Sequence, residues 1–311
     1  MRIIAVEEHY LLAGPRLESQ PAQIRERLCD LDQVRIAGMD AAGIDLQVLS
    51  LQAPGAQAWP ASEAAAQARE ENDRLADAVK RHPDRFAAFA ALPTADPEAA
   101  AGELERTVRQ LGFKGGMVNG HTGGRFLDDQ RFWPILAAAE SLDVPIYIHP
   151  APPPAAVFDA YYAGFAPEVS AGLSTGGWGW HIETGLHLLR LIMAGALDRF
   201  PRLQVIVGHL GEALPFMLAR TSRRLPREVT ALQRSVDEYV RQNVHFSISG
   251  FNSFPPLLNA LLEVGADRIL FSVDDPFSAN LEGRAFLDSM PVSAGDREKI
   301  AHANAERLLR L

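Results

Sequence analysis

Cysteine is nearly absent from this 311-residue chain: Cys29 stands alone, so no internal disulfide can form and no thiolate cluster can hold a metal. Any metal site must use nitrogen and oxygen donors. Long apolar runs are missing as well. No stretch approaches the roughly 18 uninterrupted apolar residues of a membrane span, which argues against a membrane partner. The opening residues MRIIAVEEHY lack the basic region and apolar run of a secretory signal, so a cytoplasmic location is expected. Positive charge is scarce. Thirty Lys and Arg face 39 Asp and Glu for a formal charge of -9, and no basic stripe gathers to neutralise a phosphate backbone, which argues against a nucleic-acid partner. No low-complexity linker divides the chain, so one domain over residues 1–311 is expected. No glycine-rich phosphate turn follows the first strand-like run. Glu7, Glu8, His9 and Tyr10 take that place, and neither Gly115-Gly116 nor Gly123-Gly124 has the lysine or spacing of a phosphate loop.

The chain does contain an alternation of short β-branched runs with longer helix-like ones. The runs at 2–9, 45–52, 86–93, 113–120, 144–150, 204–211, 244–250 and 269–277 read as strands. Helical segments with recognisable ends lie between them. Asp96 as N-cap with Pro97 behind it opens a helix that Gly112 stops, and Pro134 opens another over 135–142. An amphipathic segment covers 183–200, Pro255 or Pro256 begins a helix that Gly265 closes, and Ser293 with Asp296 caps a last one reaching Leu311. Eight apolar strands, each followed by a helix, predict a single (β/α)8 barrel rather than an open doubly wound sheet. The long connections 11–35 and 151–179 are expected to fold over the C-terminal face of the strands.

In such a barrel the chemistry sits at the C-terminal strand ends. The first strand ends in Glu7-Glu8-His9, where the two-residue period puts Glu7 and His9 on one face and Glu8 on the other. The fifth ends in His149, the sixth in Gly208-His209 with Glu212 just beyond, and the eighth in Asp274-Asp275. A lone strand-end histidine is more often a hydrogen-bonded structural residue than a ligand. Inward acids are another matter, because a carboxylate without a cation in a barrel mouth costs several kcal/mol. Glu7, His9, His149 and Asp274 are therefore predicted to share one divalent ion, either Zn²⁺ or Mn²⁺. His209 and Glu212 are expected at the start of the following helix, with Glu212 orienting the imidazole. Arg220, two helical turns past Glu212, either brings positive charge to the pocket or forms a surface ion pair. Of the other histidines, His82 and His302 read as solvated, His245 as buried in the seventh strand, and His121, His181 and His187 as near the mouth without being ligands.

With these residues identified, the chain resembles the amidohydrolase superfamily and, within it, the metal-dependent, non-oxidative decarboxylases. It looks most like the γ-resorcylate and 2,3-dihydroxybenzoate decarboxylases and is similar, more distantly, to aminocarboxymuconate-semialdehyde decarboxylase. The resemblance runs nearly end to end. It rests on Glu7-x-His9, on His82 to Phe86, Gly112 to Gly120 and Leu127 to Asp129, and on Ile148-His149-Pro150, Gly177 to Trp180, Gly208 to Phe216 and Phe271 to Phe277. It implies Glu7, His9, His149 and Asp274 as ligands, His209 and Glu212 as a catalytic pair, and Arg220, Trp180 and Phe277 in the substrate pocket. Ala151 and the proline-rich stretch after it depart from the family pattern, so the substrate cannot be inherited from one relative.

The implied reaction is loss of CO2 from a small hydroxylated aromatic carboxylate. The ion would chelate the carboxylate and an ortho hydroxyl, Asp274 would supply the ring proton, and His209 would stabilise charge on the ring hydroxyl. The alternatives are a metal-dependent hydrolase of a lactone, ester or amide, and a barrel that binds without turnover. The resemblance implies a homodimer or homotetramer.

Overall fold

A computed structural model of the chain describes residues 1–12 and 15–311; Ala13 and Gly14, in the first long connection, lie outside the described residues. The strands are β1 (Ile4–Tyr10), β2 (Leu46–Leu51), β3 (Phe86–Ala88), β4 (Ala90–Ala91), β5 (Gly116–Asn119), β6 (Ile146–His149), β7 (Val205–Val207), β8 (Val244–Ser247) and β9 (Ile269–Leu270). Every pairing between them is parallel. β3 and β4 are one expected strand interrupted at Phe89, whose N–H still bonds to Leu49 O at 2.9 Å while that of Ala90 turns to Gly115 O at 2.8 Å. The last strand comes back beside the first. Val6 N bonds to Phe271 O at 3.1 Å, Asp274 N to Glu7 O at 3.0 Å and His9 N to Asp275 O at 2.7 Å, which closes the ring of a (β/α)8 barrel.

The principal helices are α1 (Ala22–Cys29), α2 (Gln33–Ala42), α3 (Ala61–Arg81), α4 (Pro97–Leu111), α5 (Trp133–Leu142), α6 (Pro167–Ser174), α7 (Gly179–Met193), α8 (Leu214–Arg224), α9 (Val236–Asn243), α10 (Phe254–Val264) and α11 (Asn280–Ser289). The expected ends are present in α4, where Asp96 accepts from Ala99 N at 3.1 Å and Gly112 closes the helix with φ +75°. The amphipathic segment starts earlier than expected, at Gly179, and breaks at Gly195 with φ +74°. Ser293 caps the terminal segment by accepting from Asp296 N at 3.1 Å, but residues 299–303 widen into a π turn before the helix resumes at Asn304.

The core forms two layers. Ile4, Val6, Val48, Phe89, Met117, Tyr147, Ile206 and Leu270 fill the barrel interior, and a larger apolar cluster lies between sheet and helices. Because Ile4 and Val6 face inward, a strict two-residue period would turn Glu7 and His9 outward. A register irregularity between Ala5 and Glu8 shifts the phase, and Glu7 reaches the interior Tyr147. Among the described residues no helix is long and apolar enough to cross a membrane.

Candidate metal centre and active site

Glu7 is fully buried, and its two oxygens have different surroundings. Oε2 accepts from Ser247 Oγ at 2.9 Å and also from Tyr147 and Ser249. Oε1 has no hydrogen-bond partner and stands 3.3 Å from His149 Nε2. Burial alone would lift the Glu7 carboxyl, but the imidazoles of His209, His149 and His9 outweigh it and hold the group below the ordinary carboxylate range.

The imidazoles are oriented by their outer nitrogens. His149 Nδ1 lies 2.7 Å from Pro150 O, which can only accept, so the proton is on Nδ1 and the Nε2 lone pair turns inward. His9 Nδ1 meets Ser50 Oγ at 3.3 Å, and its Nε2, without a hydrogen bond, faces Asp274 Oδ1 at 3.1 Å. Asp274 is not on a strand: β9 ends at Leu270, and residue 274 sits in left-handed backbone with φ +70°. Four donor atoms, one each from Glu7, His9, His149 and Asp274, lie within 4.8 Å of one another. No lysine or arginine lines the cavity above them among the described residues. Unpartnered carboxylate and imidazole atoms aimed at one point suit a divalent cation with nitrogen and oxygen ligands.

His209 and Glu212 lie near these four, but not at the start of a helix as expected. His209, Leu210, Gly211, Glu212 and Ala213 all have positive φ, so the chain makes a tight left-handed turn and the helix proper begins at Leu214. The turn folds Glu212 back so that its Oε1 meets His209 Nδ1 at 2.6 Å. Burial works against a charged His209, yet Glu212, with Glu7 and Asp274, lifts the imidazole to about 10. Burial likewise opposes the Glu212 carboxylate, and the two imidazoles beside it keep the group below its ordinary value.

The cavity has a volume of about 440 Å³. Trp180 and Phe277 line it, with Gln20 from connection 11–35 and Gly176 from connection 151–179, so both long connections reach this face of the barrel. Arg220 does not line it. The two-turn spacing assumed an unbroken helix from Glu212, whereas the left-handed turn resets the phase and leaves Arg220 exposed on α8. His82 and His302 are partly buried and paired, His82 at the end of α3 with Asp32 at 2.6 Å and His302 with Glu306, one turn further along the terminal segment, at 2.9 Å. His245 is buried in β8, and His187 is buried with Nε2 accepting from Leu127 N at 3.0 Å.

Several site residues escaped the sequence reading. Tyr147 was accessible to it, being two residues before His149 on one strand face. Ser247 and Ser249 carry no pattern that marks them, and His181, placed only near the mouth, donates from Nδ1 to Glu212 Oε2 at 2.6 Å.

The amidohydrolase family model matches residues 16–311. The γ-resorcylate decarboxylase of Rhizobium radiobacter is 38% identical over 330 residues, covering 99% of this chain and 98% of that protein. A solved 2,6-dihydroxybenzoate decarboxylase in complex with 2,6-dihydroxybenzoate superposes with a TM-score of 0.90 at 38% identity, over 100% of this chain and 99% of that one. The dihydroxybenzoic acid decarboxylase of Polaromonas sp. JS666, solved with manganese and 2-nitroresorcinol, gives 0.90 at 36% identity over 100% and 97%. A family match across nearly the whole sequence, joined to relatives alike in fold over their full length, means that this chain belongs to the amidohydrolase family.

Proposed function

We propose that this chain is a metal-dependent, non-oxidative decarboxylase of a small hydroxylated aromatic carboxylate of the dihydroxybenzoate class. The observation that carries the reading is the convergence of Glu7, His9, His149 and Asp274 on one point in a cavity walled by Trp180 and Phe277. Its relatives are named as decarboxylases of such acids. Glu7, His9, His149 and Asp274 would hold a divalent ion, which would supply Lewis acidity toward the acidic end of the substrate. Trp180 and Phe277 sandwich the ring. His209, kept cationic by Glu212, stabilises negative charge on a ring oxygen, and Asp274 delivers the proton to the carbon that loses CO2.

Mn²⁺ is the ion we infer, since two carboxylates among four donors suit a harder cation and the Polaromonas enzyme was solved with manganese. The active form is inferred to be a homodimer. α8 and α10 pack together and expose Phe216, Met217, Leu258 and Leu262, an apolar face suited to a two-fold contact.

The test is incubation with 2,6- and 2,3-dihydroxybenzoate while CO2 is recorded, alongside a lactone panel with a pH indicator. CO2 from a hydroxybenzoate is the expected result; turnover of lactones alone would replace the reading with metal-dependent hydrolysis. Chelation followed by reloading with Mn²⁺ or Zn²⁺ tests the ion, and light scattering tests the dimer.

A further inference from the structure

Glu212 is held by two imidazoles, and the mechanism above uses only one of them. His209 occupies Oε1, while His181, 8% exposed near the start of α7, donates from Nδ1 to Oε2. On its far side His181 Nε2 has two neighbours of opposite kind, Trp180 Nε1, which can only donate, at 3.1 Å and Gly176 O, which can only accept, at 3.0 Å. The proton on Nδ1 is fixed by Glu212 instead, a carboxylate that can only accept, and both carboxylate oxygens are satisfied inside a buried pocket.

The backbone is shaped for this contact. Gly185 lies one helical turn beyond His181 on the same face of α7, and a Cβ there would stand 2.7 Å from Glu212 O. A side chain at 185 would push α7 away from the 209–213 turn, so the glycine allows His181 to reach the carboxylate. The rings of His181, His209 and Phe251 pack edge to face with centroids 4.6 to 5.3 Å apart, which fixes the imidazole laterally.

We propose that His181 is a positioning residue that holds Glu212 in the orientation and charge state His209 needs, and that it links this pair to Trp180 in the wall of the substrate cavity. Without the Nδ1–H of His181, Glu212 Oε2 loses a charge-assisted hydrogen bond at a carboxylate that is only 2% exposed, and the carboxylate is freer to turn away from His209. The consequence falls on the rate step that uses His209. The four candidate metal ligands are other side chains, and His181 meets the cavity only at its wall beside Trp180. The reading of His181 in turnover rests on the decarboxylase assignment, and its structural part does not.

Two variants separate positioning from packing. His181→Phe keeps the ring and its edge-to-face contacts but removes both nitrogens, whereas His181→Asn keeps a donor where Nδ1 stood. With the manganese-loaded enzyme on 2,6-dihydroxybenzoate, His181→Phe is expected to lower kcat by roughly 10- to 100-fold with KM and bound manganese nearly unchanged, and His181→Asn to recover most of the loss. Full kcat in His181→Phe, or equal impairment in His181→Asn, would overturn the proposal. The second readout needs no turnover. The low-field proton resonance of His209 Nδ1–H against Glu212 is expected in the wild type and His181→Asn and lost or moved upfield in His181→Phe. An unchanged resonance in His181→Phe would also overturn it. If the wild type releases no CO2 from any hydroxybenzoate, the decarboxylase reading fails, and the resonance still decides whether His181 positions Glu212.

Discussion

Arg35 reaches Asp275 across the seam that closes the barrel, Nη1 to Oδ2 at 2.9 Å, with both side chains almost wholly shut off from solvent. The same guanidinium donates to Gln47 Oε1 at 3.1 Å and to His9 O at 2.5 Å. Asp275 is bonded as well to Arg27 on α1. Next to this cluster, Glu8 accepts from Val273 N at 2.8 Å and Asp275 N at 2.9 Å, joining β1 to the segment after β9. The two proposed ligands His9 and Asp274 are thus set by a network standing behind them.

Arg35→Met tests that network. Removing one partner of a buried ion pair costs about 3–5 kcal/mol, and because Arg27 still holds the other oxygen of Asp275 the loss should fall near the lower figure. Metal affinity should fall by roughly 10- to 100-fold, the usual effect of disturbing groups that orient ligands. Urea unfolding of the metal-free protein and a manganese titration measure the two effects separately. A variant of lower stability with undiminished manganese affinity would show that the cluster braces the seam without positioning the ligands.

Asp274→Asn isolates the proposed proton donor. The amide keeps size and one ligating oxygen but has no acidic proton to give, so kcat should drop by roughly 100- to 10,000-fold, the range of general acid catalysis. Substrate binding, followed by isothermal titration calorimetry, should change little. Full turnover in a variant that binds metal and substrate normally would remove Asp274 from the role.

The residues legible in the sequence were those whose position on a strand is also their position in space. His149 ends a regular strand, and the two-residue period aimed it correctly. Glu7 and His9 also converge as expected, though by a different route: the irregularity in β1 supplies the inward turn that a perfect strand would have denied them. The expected extensions to Gly211 and Phe277 were not realised, because the chain leaves the ladder in left-handed conformations at His209 to Ala213 and at Asp274. Period and propensity carry no information about such turns, and Arg220 stands on the exposed face of α8 rather than in the cavity wall for that reason. His181 was obscured differently. Its partner, Glu212, lies on another βα unit, and only the close approach permitted by Gly185 brings them together.

Two buried histidines predict how stability depends on pH. Burial pushes His187 down to about 3, with Arg190 and His121 adding to the effect, and burial with Arg268 and Arg307 does the same to His245. In the folded protein both stay neutral, while in the unfolded chain both take up a proton below about 6.5. The unfolded state therefore binds more protons between about pH 6.5 and 3, and folding stability falls with falling pH by up to about 1.4 kcal/mol per unit for each histidine. Above pH 6.5 neither group contributes a slope. Between pH 5 and 6.5 the half-buried carboxyl of Glu183, lifted to about 7, contributes a slope of opposite sign, so the histidine contribution is read from urea midpoints as the difference between wild type and variant. His245→Gln retains an acceptor for Arg268, whose Nη1 stands 2.9 Å from His245 Nε2, and should change the slope by up to about 1.4 kcal/mol per pH unit; an unaltered slope would mean that His245 is not neutral in the fold.

Gly208 offers the most selective way to disturb the metal ligands without touching one. Its backbone is extended, φ -71° and ψ -175°, so alanine meets no conformational strain there. The obstacle is spatial. A Cβ at 208 would stand 2.7 Å from Glu7 Oε2 and 3.2 Å from Oε1. A flexible carboxylate could move aside, but Glu7 Oε2 is held by Tyr147, Ser247 and Ser249, so displacement must break those bonds or turn Oε1 away from His149. Gly208→Ala should thus cost about 1–3 kcal/mol of stability, the usual effect of overpacking. It should also weaken manganese binding by more than the stability loss alone would suggest. Adding Tyr147→Phe would loosen Glu7 and should restore part of the metal affinity lost in Gly208→Ala. If the double variant bound manganese no better than Gly208→Ala alone, the rigidity of Glu7 would not be what makes glycine necessary at 208.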